Sequence, residues 1–537
     1  MSKESQPLLS YLWSQQSKYT TDQEGGNIEE IRELQQGQTS TTENDSTSWL
    51  NWFWFTSTTT TMQPEDDDEL SNDNKLFKEL KLKIQKDTKL SYAIKSSIHN
   101  CELSVFDTPS ENAPVIYTPK KKIKSNLQIV ENQIRKKNDK GTIYPKFEEN
   151  YRFLTWSSLL RILSKDLICG LKTEHHLYKK QFSKKGKFYV VIIAIHNYLP
   201  IKFTRVNIQK SNGNSRVLIN KAKEAIHQYF QNQDIQLNIE TIELEGMNKI
   251  EDSVEEYYKF LMNWKEIIKN SDWLFMCTIA NSTPIGINLL AKLVESIHLK
   301  KVSLLNIDAY IGPNSDIESK LINRAYSQYE NEIIRQIFEY NKANSDLSIT
   351  LNQSMKKLID SNVKIIFTGN VNDSFVPLYN QLGMKYDHPN IYRNFISQDS
   401  NFITTLFDII LILRNLGLET DYNLISNLSN FEENVEIYEI EDVYKEAIEF
   451  SLESTNLIHK RELQINETKM NDFDLNLLPW NLRSLIHELL KYKHVKKFNL
   501  LIQLIKDLKN WQPTTNKFKD VKYSFEGLID VDLNELI

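Results

Sequence analysis

Ser282 stands just past a β-like run, Asp272–Ile279, and just ahead of an apolar helical run, with Ala280 two residues before it and Pro284 two after. A hydroxyl nucleophile on a sharp strand-to-helix turn has this local pattern, although a GxSxG elbow carries glycine at both flanking positions. Acyl transfer would also need an imidazole to take the hydroxyl proton and a carboxylate to orient that imidazole. Asp308 and Asp373 follow two further strand-like runs and are the candidate carboxylates. His388, 15 residues past Asp373, is a candidate imidazole, but a His-Pro turn makes a structural role the plainer reading. His196, at the end of the run Lys187–Ile195, also reads as structural, and for Ser282 itself the plainer reading is a residue of a helix's first turn. His175-His176 has no third ligand nearby, and the three cysteines, Cys101, Cys169 and Cys277, show no ligand spacing. No metal and no cofactor is expected.

The elements that must position these groups follow from periodicity. Phe188–Ile195 is a continuous β-branched and apolar run, the signature of a strand buried on both faces of a parallel sheet. Similar runs recur at 272–279, 301–307 and 363–368, separated by amphipathic helical patterns at about 215–231, 251–269, 284–298 and 320–343. Strands alternating with helices imply βαβ crossovers and an open parallel sheet, in which ligands gather at the carboxyl ends of strands. Four such ends matter: His196-Asn197, Ala280 to Pro284, Asn306 to Gly312, and Gly369 to Pro377. Three short strand-like runs, Ser91–Ile98, Glu102–Phe106 and Val115–Tyr117, precede the sheet; Pro145 to Lys187 reads as helix and loop, and the chain from about 440 as helix, with Pro479 opening Trp480–Lys491.

Several blocks resemble a fungal α/β-hydrolase (lipase/esterase-like) family. They are His196-Asn-Tyr-Leu-Pro-Ile-Lys202 (family HGxxPxK), Arg324-Ala-Tyr-Ser327 (RAYS), Asn372-Asp-Ser-Phe-Val-Pro-Leu-Tyr379 (NDxxVPLYS) and His388-Pro-Asn-Ile-Tyr-Arg393 (HPNIxR). Leu478-Pro-Trp-Asn-Leu-Arg483 and Trp511-Gln-Pro513 add LPWxxR and WxP. The resemblance implies a single α/β-hydrolase-like, mostly parallel sheet over residues 76–450, with a helical C-terminal extension over 451–537 packed on it. It also implies a site, and there the chain departs from the pattern. The family elbow, SHSQGCP, aligns with Thr278-Ile-Ala-Asn-Ser-Thr-Pro284, which puts Ala280 at the nucleophile position and leaves Ser282 as an alternative nucleophile only. Asp373 falls on the acid position, and Asn434 on that of the histidine. On the oxyanion side the family's Gly after His196 is Asn197, and Asn281 follows the elbow. Asn cannot act as a general base and Ala offers no hydroxyl. The expectation is therefore a catalytically inactive scaffold that binds a lipid or a partner. An esterase using Ser282 with an atypical base, or a structural interaction protein, are the alternatives.

Composition excludes other classes. The chain has 537 residues, 40% hydrophobic and 25% charged, with only 14 Gly and 13 Pro, which rules out fibrous and Gly/Pro-rich types. Its net charge of −6 is uneven: residues 1–75 hold 4 basic and 14 acidic side chains, whereas residues 119–187 hold 18 basic and 6 acidic. The acidic tail 1–75, rich in Ser, Thr, Gln and Asn, reads as disordered. It contains an aromatic island with Trp49, Trp52, Phe53, Trp54 and Phe55, too short to span a bilayer, which either docks into a groove of its own fold or inserts at a membrane interface. With the basic belt it would supply the two weak signals that reversible attachment to an anionic membrane surface requires. The Phe402–Leu418 run is interrupted by Asp408 and Arg414, no secretory signal opens the chain, and the few cysteines fit a reducing compartment. An intracellular, cytoplasmic protein, peripheral to a membrane, is expected. Lipid or protein partners fit; nucleic acid does not, for want of a recognition motif.

Overall fold

The computed structural model describes most residues between 91 and 528; the longest stretches outside the description are 1–90, 107–114, 118–140, 205–212, 314–326, 429–435, 467–474 and 529–537. The aromatic island 49–55, the rest of the acidic tail and Asn434 all lie outside the described residues.

Twelve strands are described: β1 (Tyr92–Ser96), β2 (Cys101–Val105), β3 (Val115–Tyr117), β4 (Thr142–Tyr144), β5 (Gly186–Asn197), β6 (Ile235–Gly246), β7 (Trp273–Ile279), β8 (Val302–Ile307), β9 (Lys364–Asn370), β10 (Tyr386–Asp387), β11 (Ile391–Ser397) and β12 (Gln464–Ile465). Ten form one sheet in the order β3-β2-β1-β6-β5-β7-β8-β9-β11-β4. From β6 to β11 neighbouring strands are parallel, while β1, β2, β3 and β4 are antiparallel at the two edges. The central strands are those whose apolar runs have no polar face. β7 and β8 are buried at every residue, as expected where helices cover both sides of a sheet.

The helices that cover it are α1 (Ser215–Phe230), α2 (Ile250–Met262), α3 (Thr283–Ser296), α4 (Gln328–Glu339), α5 (Asp346–Asp360), α6 (Phe402–Asn415) and α7 (Glu441–Glu453), followed by α8 (Leu478–Lys491), α9 (Leu500–Asn510) and α10 (Asn516–Phe525). α1, α4 and α7 close one face of the sheet, α2, α3 and α5 the other. A third apolar cluster joins α6 to α8, α9 and α10. α6 is buried at all 14 residues. Its length and all-round apolarity are those of a core helix. Arg414 is tolerated there because its guanidinium donates to the Leu418 carbonyl at 2.6 Å and the Met384 carbonyl at 3.2 Å. Among the described residues no helix is long and apolar enough to cross a membrane.

Several elements differ from expectation. β6 and β11 were not foreseen as strands, because buried polar side chains break their apolar pattern: Glu243 and Glu245 in β6, Arg393 and Asn394 in β11. Arg393 is fully buried, yet its side chain donates to the carbonyls of Leu382 (3.0 Å), Gly383 (3.3 Å) and Tyr386, which offsets part of the desolvation penalty a bare guanidinium would carry. Thr142–Tyr144 adds an edge strand just before the segment expected to be helix and loop. The helix expected over 251–269 is interrupted at Asn263-Trp264, and α5 was not anticipated. α7 runs without a break through residue 450.

Candidate active site

β7 ends at Ile279, and the chain turns through a short 3-10 segment, Ala280–Ser282, into α3. Ala280 turns the corner with φ of +50°. A non-glycine residue in the left-handed region costs about 1–2 kcal/mol and is held only where surrounding packing over-determines it. The packing is visible. A methyl group added to Gly286, one turn into α3, would stand 2.2 Å from Thr278 Cγ2, so the helix can lie this close to β7 only with glycine there. The Tyr310 N–H donates to the Ala280 carbonyl at 3.2 Å, tying the turn to the loop after β8.

The strained corner is the geometry that projects a nucleophile from the top of a sheet, and it carries a methyl group, 1% exposed. Ser282, two residues on, does not take its place. Its hydroxyl is fully buried, accepts from the Ile279 N–H at 3.0 Å and donates to the Ile195 carbonyl at 2.9 Å, with the Ile279 carbonyl as the alternative acceptor. It fastens the turn to β5, and its single proton is committed to backbone.

The register levels the other groups with the elbow. Ile195 pairs with Thr278 and Ile279 with Ile307, so Asn197 and Asp308 lie beside Ala280 at adjacent strand ends. Asp308 also adopts a positive φ, +49°, and its N–H donates to the Thr368 carbonyl at 2.9 Å. Asn197 is spent on architecture: its amide donates to the Asn248 carbonyl at 3.1 Å and accepts from the Asn248 N–H at 3.2 Å. Asn281 is buried and its side-chain carbonyl has no hydrogen-bond partner. Its backbone N–H comes directly after the elbow residue, the position from which this turn donates to an oxyanion.

Asp373 lies past β9, 2% exposed, and its Oδ1 accepts from the N–H groups of Phe375 (2.7 Å) and Val376 (3.0 Å). Those two bonds fold the loop back, and Phe375 then packs edge-on against Phe203 (ring centres 5.6 Å apart), Tyr310 (5.3 Å) and Phe338 (6.1 Å). Aromatic side chains thus fill the space beside the carboxylate.

The two candidate imidazoles sit differently. His388 lies before β11, at the amino edge of the sheet and so on the opposite side from Asp373; its Nδ1 accepts from the Asn390 N–H at 3.0 Å and its Nε2 meets the Arg461 carbonyl at 3.2 Å. Burial pushes its pKa down to about 4, which suits a neutral, structural ring. His196 is at the carboxyl edge, 3% exposed, with neither ring nitrogen bonded, and it stands edge-on to Tyr198 at 4.4 Å. Burial lowers its pKa, opposed by the charge of Glu245, its register partner on β6. Glu245 is the residue that patterning missed: a buried carboxylate accepting from Tyr92, from Tyr198 at 2.8 Å and from the Ser215 N–H at 3.0 Å. The only sequence signal for it was an acidic residue in an otherwise strand-like run. Among the described residues no group of His, Cys, Asp or Glu could hold a metal ion.

Comparison with known proteins gives one strong match. Residues 144–489 match the YMC0/YMC35 alpha/beta hydrolase domain. No curated protein matches the sequence. Partial matches among solved structures include the metagenome-derived lipolytic enzymes LipS and LipT (9% identity, 39% of this chain and 80% of that one, TM-score 0.24). Bacillus megaterium epoxide hydrolase (10% identity, 41% and 88%, TM-score 0.19) and homoserine O-acetyltransferase from Staphylococcus aureus (10%, 46% and 87%, TM-score 0.22) are others. At such low overlap these likenesses carry no weight, and the assignment rests on the family match, which covers well over half the sequence. With its parallel sheet and strand-to-helix corner, the chain belongs to the YMC0/YMC35 alpha/beta hydrolase domain family.

Proposed function

We propose that this chain is a pseudoenzyme, an α/β-hydrolase fold without acyl-transfer chemistry that serves as a scaffold for a lipid or a protein partner. The observation that carries this reading is Ala280: the elbow corner is retained at φ +50° and holds no hydroxyl, while the nearest one, on Ser282, is buried and bonded to backbone. An acyl enzyme needs a nucleophile, a base and an orienting acid acting together, and loss of the nucleophile alone removes nearly all of the rate. Labelling with a fluorophosphonate probe tests it. Wild type is expected to stay unlabelled, and Ala280→Ser/Asn434→His to label. Labelling of wild type that disappears in Ser282→Ala would overturn the proposal in favour of an esterase with an irregular elbow.

Attachment to a membrane surface is the second part of the reading, and an exposed apolar stripe supports it. Phe153 (59% exposed), Trp156 (82%) and Leu160 (65%) project from a segment and helix, Trp156–Cys169, within the basic belt. Co-sedimentation with vesicles containing phosphatidylserine is expected to fall in Trp156→Glu/Leu160→Glu. Equal sedimentation of both proteins would sink this part without touching the first.

A further inference from the structure

At the amino edge of the sheet, opposite the elbow, a cavity of about 90 Å³ is bounded by the start of β8, the start of β9 and the end of α7. Four lysines line it: Lys180, Lys300, Lys301 just before β8, and Lys364, the first residue of β9; Lys300 is paired with Asp272, and the other three have no carboxylate partner among the described residues. Ser361, Asn362, Ser451, Ser454 and Asn456 supply its other polar groups. No aspartate or glutamate lines it. Three carboxylates of the surrounding segments are engaged elsewhere: Asp272 by Lys184 (2.6 Å) and Lys300 (3.0 Å), Glu453 by Lys179 (3.3 Å) and Tyr229 (2.8 Å), Asp360 by Lys460 (2.9 Å).

The polar groups of the cavity are left incomplete. Lys364 is 4% exposed, and its ammonium donates to the Asn390 side-chain carbonyl at 2.9 Å and the Thr455 carbonyl at 2.8 Å, leaving one of three N–H donors over and no anion opposite. The hydroxyls of Ser451 (1% exposed) and Ser454 (2%) have no hydrogen-bond partner. A buried helical serine ordinarily bonds back to the carbonyl four residues earlier, and Ser451 does not. We propose that this cavity binds a small phosphate oxyanion, inorganic phosphate or a terminal phosphate monoester, through Lys180, Lys301, Lys364 and the two serine hydroxyls.

The competing account is that the lysines offset helix dipoles. α5 and α7 both end here, and each C-terminus carries about −0.5 of a charge, so together they balance roughly one of three ammonium groups. The rings of Phe450, 5.7 Å from Lys364 Nζ, and Phe182, 5.8 Å from Lys301 Nζ, add to that balance, but neither dipole nor ring gives the serine hydroxyls an acceptor. Burial also lowers the pKa of all three amines, Lys301 to about 8, with Lys180 adding repulsion to both Lys301 and Lys364. A bound oxyanion would relieve that repulsion and accept from the two orphan hydroxyls, which a dipole cannot do.

Isothermal titration of the full chain with inorganic phosphate, at constant ionic strength in chloride, tests the proposal. Saturable binding is expected for wild type, weakened at least tenfold in Lys301→Gln and in Ser451→Ala/Ser454→Ala, each checked for its folded circular dichroism. The two variants share no residue, so one that fails to fold leaves the other to decide. Competition by glycerol 3-phosphate would assign the ligand as an ester, and its absence as free phosphate. No saturable phosphate binding by wild type, or binding unchanged in a folded variant, would overturn the proposal. So would binding only to phosphatidic acid vesicles.

Discussion

At the carboxyl edge of the sheet the backbone holds a demanding shape around an alanine and a serine bonded to backbone; at the amino edge buried polar groups retain unmet hydrogen-bonding capacity. Ala280 and Asp308 both hold left-handed φ at neighbouring strand ends, yet the first has no functional group and Ser282 is tied into backbone. Lys364, Ser451 and Ser454, by contrast, are buried polar groups with unmet hydrogen-bonding capacity. Strain persists where packing imposes it, whether or not chemistry still uses it. Unsatisfied polar groups have no such support: each carries a desolvation cost of about 1–3 kcal/mol, which a ligand or water must offset.

If packing alone maintains the elbow, disturbing that packing should have the largest effect. Gly286→Ala places a methyl group against Thr278 Cγ2 and is expected to destabilise the fold by about 3 kcal/mol in urea unfolding, the upper end for overpacked cores. Thr278→Ser removes the clashing methyl group, keeps the hydroxyl that donates to Asn306 Oδ1 at 2.8 Å, and should recover most of the loss in the double variant. Additive effects of the two changes would break the argument that this contact shapes the turn.

Ser282→Ala comes next, at about 2 kcal/mol, because it strands the Ile195 carbonyl and the Ile279 N–H in a buried site. A loss below about 0.5 kcal/mol in the same unfolding measurement would mean that the hydroxyl is not the fastening the geometry makes it. The smallest effect sharpens the comparison most directly. Ala280→Gly removes the cost of a side chain at φ +50°, about 1–2 kcal/mol, against the extra freedom glycine gives the unfolded chain, about 0.4–1 kcal/mol. A net gain of about 0.5 kcal/mol is expected. A clear loss would show that the methyl group does something beyond occupying the corner.

Much of the architecture was legible because it rests on local pattern. The runs at 187–195, 272–279, 301–307 and 363–368 became β5, β7, β8 and β9, since continuous β-branched apolar stretches have few alternatives to a doubly covered strand. β6 and β11 escaped because their buried Glu245 and Arg393 are satisfied by partners distant in the chain or around a turn, and such partners are not written into the strand's own periodicity. The candidate site rests on aligned blocks alone. These name Ala280 and Asp373, but contain nothing about the aromatic packing around Phe375 or the engagement of Ser282 with Ile195.

By itself the sequence determined the alternation of strands and helices, the strand-end positions at which functional groups would gather, and the absence of a hydroxyl at residue 280. Only the tertiary structure decided which polar groups are spent and which remain unmet. Ser282 and Ser451 are the same residue type near a helix end, yet one is bonded to a neighbouring strand and the other faces a cavity among lysines. A hydroxyl's role depends on what lies within about 3 Å of it, and those neighbours come from segments that meet only when the sheet has formed.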